Sequence, residues 1–203
     1  MGSSMREKKE SLRAAALAQR GSLPRSEALA RSRLIQARAL QFPPYLMRPL
    51  VALYSPIQNE VETGEIRDHA LVTAKSVFFP RFGIKSSLEF IQIGSSMELS
   101  KGRFGLLEPI GETRLSASAR EKLIVFVPGV AFDSHGHRLG RGTGGYDRLI
   151  KELAGATLVA LAYDFQVVEE VPTDAWDQKV HYVITERSVV DCRSTPMQSS
   201  QVS

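Results

Sequence analysis

A single-domain α/β fold is predicted, with a central, mostly parallel or mixed sheet flanked by helices in a Rossmann-like three-layer arrangement. Three observations predict it. Short apolar runs suited to buried strands recur at LVALY (50–54), SVFFPRF (76–82), LIVFV (123–127), TLVALAY (157–163) and YVITE (182–186). Segments of helical periodicity alternate with them, as in a sheet covered by helices. No repeat or linker splits the 203 residues, which suffice for one substantial core. The domain is expected to span residues 5–190, with 191–203 a polar, disordered tail.

In chain order, Arg6–Arg20 reads as an alanine-rich helix with Leu12, Ala15 and Ala16 on one face. Met5 is taken as the natural start, after Met1–Ser4. Lys9 and Arg13, four residues apart, share a helix face. A second helix is expected from Ser22-Leu23-Pro24, with a capping serine and an early proline, to about Leu40. Leu29, Leu34 and Ile35 mark its packing face, and Phe42-Pro43-Pro44 ends it. After LVALY, a loop leads to a helix from about Glu62 to Ala74, where Glu60 and Glu62 complement the dipole. LEFIQI (88–93) alternates as a third strand. The stretch up to LIVFV is irregular. YDRLIKELAG (146–155) reads as a helix stopped by Gly155. The long loop before YVITE carries Asp174, Trp176, Asp177 and His181.

The chain is 43% hydrophobic and 24% charged, with net charge +4 and pI about 9.3. Its Lys and Arg residues are interspersed with 22 acids and form no dense run, so nucleic acid is not read as a partner. A basic pocket for small anions explains the sign. The lone cysteine, Cys192, excludes an internal disulfide and suits a reducing compartment. No apolar run approaches bilayer length and no signal-peptide core is visible, so a cytoplasmic monomer is expected, with no membrane partner.

Chemistry concentrates in PGVAFDSHGHRLGRGTGGYD (128–147). Gly140, Gly142, Gly144 and Gly145 crowd into six positions, Arg138 and Arg141 lie among them, and Arg148 follows. Glycines let an anion approach converging peptide N–H groups, a helix N-terminus follows directly, and arginine supplies forked cationic donors. The stretch therefore reads as a phosphate-binding loop. Two other readings rank lower. One is a plain connector with solvated arginines. The other is a dinucleotide fingerprint, Gly140-x-Gly142-x-x-Gly145, with Asp164 as the ribose acid nineteen residues later. That fingerprint needs a strand immediately before it, and LIVFV stops well short. His135 and His137, two apart in a loop, are weak metal ligands on sequence alone.

The spaced residues Pro128-Gly129, Ala131-Phe132-Asp133, Arg138-Leu139-Gly140-Arg141-Gly142, Gly144 and Tyr146-Asp147-Arg148 resemble the signature of the 5-formyltetrahydrofolate cyclo-ligase family. Lys9-x-x-Leu12-Arg13, Glu60-Val61-Glu62-Thr63, Pro80-Arg81, Arg103-Phe104-Gly105 and Glu108-Pro109 are similar to further family segments. The resemblance implies cyclisation of 5-formyltetrahydrofolate, free or polyglutamylated, to 5,10-methenyltetrahydrofolate with MgATP. It implies an ATP site of Lys9, Arg13, Arg138, Leu139, Gly140, Arg141, Gly142, Thr143, Gly144, Gly145 and Tyr146. Ser55, Glu60 and Tyr146 would then bind the folate, with Arg141 and Tyr146 catalytic. Mg²⁺ would fall to Asp147 and Asp177, with Asp133 a third choice. The chain departs from the family pattern at two places. Gly145 replaces the first of two adjacent tyrosines, and His181 replaces a late aspartate. A phosphate-binding relative with an altered substrate is the alternative reading.

Overall fold

The computed structural model describes residues 4–83, 88–102, 105–142 and 144–193. Arg103, Phe104, Thr143 and the tail over 194–203, all named above, lie outside the described residues.

Helices α1 (Met5–Ser22), α2 (Arg25–Leu40) and the short α3 (Pro43–Met47) precede strand β1 (Leu50–Ala52). Helix α4 (Gly64–Val72), β2 (Ser76–Phe82), β3 (Leu88–Ile93), β4 (Leu99–Lys101) and β5 (Leu107–Pro109) follow. Then come β6 (Leu123–Val127), β7 (Ala131–Phe132), β8 (Arg138–Leu139), α5 (Gly145–Glu152), β9 (Thr157–Leu161), β10 (Tyr182–Ile184) and β11 (Val189–Asp191).

Seven strands form one sheet in the order β11-β10-β9-β6-β1-β2-β3. The five inner strands are parallel, and β3 and β11 are antiparallel edges. Strand β11 extends to Asp191.

The apolar strands are buried on both faces, as the parallel arrangement requires. All five residues of LIVFV are buried. Ile124 and Phe126 pack with Ala28, Ile35, Ala39 and Ile66 beneath α2 and α4. Leu123, Val125 and Val127 face the other way, toward Leu149, Ile150 and Leu153 of α5 and its C-terminal turn.

Two local expectations are corrected. Ser22 does not cap α2: it ends α1 by donating from Oγ to Gln19 O at 2.8 Å, and Pro24 takes the cap position without a side-chain bond. Leu34 is 58% exposed, and the buried face of α2 is Ala28, Ser32, Ile35, Gln36 and Ala39. The hydroxyl and amide are kept inside because each binds backbone across the packing surface. Ser32 Oγ accepts from Glu62 N, and Gln36 Oε1 from Glu65 N.

The topology locates the cleft. From β1 the chain crosses to β2 on one side, and from β6 to β9 on the other, although β1 and β6 are neighbours. Opposite crossovers at adjacent parallel strands open a crevice beyond their C-terminal ends. The loops after β1 and β6, carrying Ser55–Glu60 and Pro128–Gly129, bound that crevice.

Candidate active site

A hairpin that periodicity is too short to reveal sets the glycine loop in place. Strands β7 and β8 pair Ala131 with Leu139 and Phe132 with Arg138. Asp133 locks the turn between them. Its fully buried carboxylate accepts from the backbone N–H of His135, His137 and Val171 and pairs with His137 Nδ1 at 2.8 Å. Despite burial, these donors hold its pKa below the ordinary carboxylate value. With its oxygens so occupied, Asp133 anchors the turn, and it lines neither of the chambers described below.

Beyond β8, Gly142 and Gly144 adopt left-handed φ values of 92° and 65°. Gly144 caps α5, so the first amides of the helix open toward the loop. Arg13 of α1 donates from Nε to Gly140 O at 2.9 Å and closes the loop from above.

Two chambers meet at this loop. The first, about 410 Å³, is lined by Lys9, Arg13, Arg138, Arg148 and Lys151 against the carboxylates of Asp147 and Asp177, with Leu139, Gly140, Gly142, Gly144 and Trp176. Among the described residues Arg148 and Lys151 have no acidic partner. The second, about 440 Å³, is mostly apolar, walled by Ile57, Pro80, Phe82, Leu88, Leu106, Leu107 and Tyr146. Ser55, Glu60 and Arg141 are polar groups that it does not share with the first. Arg138, Gly140, Gly142, Gly144, Asp147 and Arg148 line both chambers.

Three of the cations, Lys9, Arg138 and Arg141, are tightly paired with carboxylates. Lys9 Nζ lies 2.6 Å from Asp174 Oδ2 and 2.5 Å from Asp177 Oδ2. Arg138, only 5% exposed, donates from Nη2 to Asp147 Oδ1 at 2.5 Å and from Nη1 to Pro128 O at 3.1 Å. Glu60, 7% exposed, accepts from Ile57 N at 3.1 Å and from Arg141 Nε and Nη2 at 3.3 Å. Burial raises the Glu60 carboxyl above its ordinary value, while Arg20 and Arg141 pull it back. The two residues before it, Gln58 and Asn59, hold positive φ of 47° and 58°, a strained turn that aims the carboxylate into the crevice. Tyr146 is wedged between the two core layers, and burial drives its phenol far upward, so it stays protonated.

The sequence profile of the 5-formyltetrahydrofolate cyclo-ligase family matches residues 5–186. The chain belongs to that family. The mouse 5-formyltetrahydrofolate cyclo-ligase is 31% identical over 192 residues, covering 89% of this chain and 94% of the mouse protein. The cyclo-ligase of Escherichia coli (strain K12) is 30% identical over 156 residues, covering 75% of this chain and 86% of its own. Among solved structures, Aquifex aeolicus 5,10-methenyltetrahydrofolate synthetase superposes with a TM-score of 0.81 at 34% identity, over 92% of this chain and 94% of that one. The predicted α/β fold and enzyme class stand.

Of the site residues expected in this cyclo-ligase family member, the structure brings Lys9, Arg13, Arg138, Leu139, Gly140, Gly142, Gly144, Asp147 and Asp177 to the basic chamber. Ser55, Glu60, Gly145 and Tyr146 line the apolar one. Arg141, expected among the ATP ligands, lies on the apolar side, bonded to Glu60 and to Gln58 Oε1 at 2.7 Å. Thr143 is outside the described residues. His181 lines neither chamber. Its Nδ1 accepts from Leu158 N at 3.0 Å, tying it to the sheet, and burial lowers its pKa.

Asp164, the ribose acid of the dinucleotide reading, faces Arg187 at 3.3 Å and lines neither chamber, which removes that alternative. Sequence reasoning placed Arg148 beside the phosphate loop without assigning it a ligand role, and missed Lys151 and Trp176 as chamber residues. The i, i+4 spacing of Asp147 and Lys151 on α5 was the available signal.

Proposed function

We propose that this protein is an ATP- and Mg²⁺-dependent 5-formyltetrahydrofolate cyclo-ligase, yielding 5,10-methenyltetrahydrofolate, ADP and phosphate. ATP is assigned to the basic chamber and the folate to the apolar one. The observation that carries the reading is their shared wall, from Arg138 to Arg148, where a terminal phosphoryl group and a formyl oxygen can meet.

The formamide carbon is a poor electrophile, and its oxygen a poor leaving group. Transfer of the γ-phosphoryl group to the formyl oxygen answers both. N10 of the folate then attacks the formyl carbon, the new C–N bond closes the ring, and the oxygen leaves with phosphate. Such chemistry asks the protein mainly for positioning and charge.

Lys9, Arg13, Arg148 and Lys151 supply positive charge to the phosphates, and the amides opening α5 add donors. Asp147 and Asp177 are the carboxylates of this chamber that would hold Mg²⁺, which would neutralise charge developing on the transferred group. On the folate side, Glu60 accepts from ring N–H groups and Arg141 steadies it. Ser55 is oriented by the Leu107 N–H, which donates to its Oγ at 2.8 Å. Tyr146 acts as a wall and a neutral donor, never as a base. The enzyme is taken as a cytoplasmic monomer, and its lone cysteine, Cys192, suits a reducing compartment.

Trp176 is the chain's single tryptophan and lines the basic chamber, so its fluorescence is the natural probe. A saturable change is expected with ATP. Folate should still bind when a non-hydrolysable ATP analogue saturates the protein. Mutual exclusion of the two ligands would refute the two-chamber assignment.

A further inference from the structure

Behind Glu60, away from either chamber's lining, stands Arg20 of α1. It is 1% exposed, the largest fully buried side chain of the described residues. Its Nη1 donates to Gly129 O at 3.2 Å, and its Nη2 lies 3.6 Å from Glu60 Oε1. Neither Nε nor Nη2 makes a hydrogen bond, although both are buried. A guanidinium carries five N–H donors, and leaving them unmade inside a protein is unfavourable. Packing alone would be served better by an aliphatic side chain of similar volume.

The orphaned donors have one consistent use. Arg20 touches the two loops that bound the apolar chamber at the sheet's crevice, one through Gly129 and the other through Glu60. Its own carbonyl receives Asn59 Nδ2 at 3.4 Å, and Leu23 O receives the same group at 3.1 Å, so α1 also holds the strained turn before Glu60. Arg141 grips the same oxygen, Glu60 Oε1, from the chamber side. Oε1 thus lies between two arginines, and Oε2 accepts from the Ile57 N–H.

We infer that Arg20 is a positioning residue, which holds Glu60 in place as an anion from behind so that its carboxylate can accept the N–H donors of the folate ring. The inference rests on the assignment of folate to the apolar chamber. Arg141 is exposed to the chamber and must share Glu60 with the incoming ligand, whereas Arg20 is sealed in the interior and stays. The charged and titratable groups around Glu60 are Arg20 from α1, Arg141 from the glycine loop, Tyr54 after β1 and Tyr146 from α5. Both tyrosines are held neutral by burial, so the two arginines are the charged groups that oppose protonation of Glu60, aided by the Ile57 N–H.

The test is steady-state kinetics of Arg20→Met, Arg20→Lys and Glu60→Gln, with the double variant Arg20→Met/Glu60→Gln, across pH 5–9. Melting temperature and ATP binding by Trp176 fluorescence verify that each variant is folded. Arg20→Met should raise the folate KM at least tenfold, move the acid limb of its pH profile upward by at least one unit, and change the ATP KM less than threefold. Arg20→Lys should recover most of the loss. In the Glu60→Gln background, which has no carboxylate to hold, Arg20→Met should add less than threefold.

A lower melting temperature with an unmoved folate KM and pH profile would overturn the inference and leave Arg20 structural. An equal effect with and without Glu60 would overturn it as well. If Glu60→Gln itself leaves the folate KM unchanged, the placement of folate fails first and the role of Arg20 falls with it.

Discussion

Lys9 Nζ sits 2.5 Å from Asp177 Oδ2, so a cation suited to phosphate holds a carboxylate suited to Mg²⁺. Asp174 Oδ2 shares the same ammonium at 2.6 Å. On the proposed reading, MgATP would exchange these partners, with Lys9 turning to phosphate and Asp177 left to hold the metal.

Weakening the grip should therefore help ATP. Asp174→Asn removes one charge from a partly exposed pair, worth about 0.5–1 kcal/mol. ATP should bind about two- to fivefold tighter, read from Trp176 fluorescence. Unchanged or weaker binding would contradict the exchange.

Arg141 bears on folate. Removing its bonds to Glu60 and Gln58 by Arg141→Ala should cost about 1.5–3 kcal/mol, or roughly ten- to 150-fold in folate KM. ATP binding measured without folate should change less than threefold. An equal loss of both ligands would place Arg141 at the phosphates.

Asp147→Asn tests the metal. It keeps shape and removes charge, so half-maximal activity should require more Mg²⁺. The buried Arg138 also loses its counter-ion, and unfolding stability should fall by about 1–3 kcal/mol. A Mg²⁺ dependence identical to that of the parent protein would leave the metal role to Asp177.

Gly145 opens α5, and the left-handed φ values belong to Gly142 and Gly144. Tyrosine at 145 thus meets no backbone penalty of that kind. Gly145→Tyr should lower the folate KM by restoring aromatic contact, leaving the ATP KM within about twofold, roughly 0.4 kcal/mol. Loss of ATP binding would show that glycine is needed there for space.

The depressed pKa of Asp133 carries a pH signature. A carboxyl bound more strongly as an anion when folded adds stability above its unfolded pKa of about 4, and that stability is lost as pH falls through the lower folded value. Asp133→Asn should lower the melting temperature at neutral pH and flatten its acid dependence below about pH 4. An unchanged acid slope would remove Asp133 as its source.

The sheet was readable because strands buried on both faces must be continuously apolar, as Leu123–Val127 is. The glycine loop was readable because left-handed backbone at Gly142 and Gly144 favours glycine. The hairpin of β7 and β8 was not, since two residues per strand show no period. Nor was the buried face of α2, where Ser32 and Gln36 stand at core positions because partners on other elements satisfy them. Arg20 was equally hidden, because burial of an arginine is decided by Glu60 and Gly129, far away in the chain. Arg141 sat in the right motif and faced the other chamber, a matter of side-chain direction that spacing does not report.

The most direct test of the central claim is to incubate the protein with 5-formyltetrahydrofolate and MgATP, following the methenyl chromophore and ADP together. The two should appear in equal amounts and only when both substrates are present. ADP released without any gain in methenyl absorbance, or no turnover of either substrate by folded protein, would contradict the account.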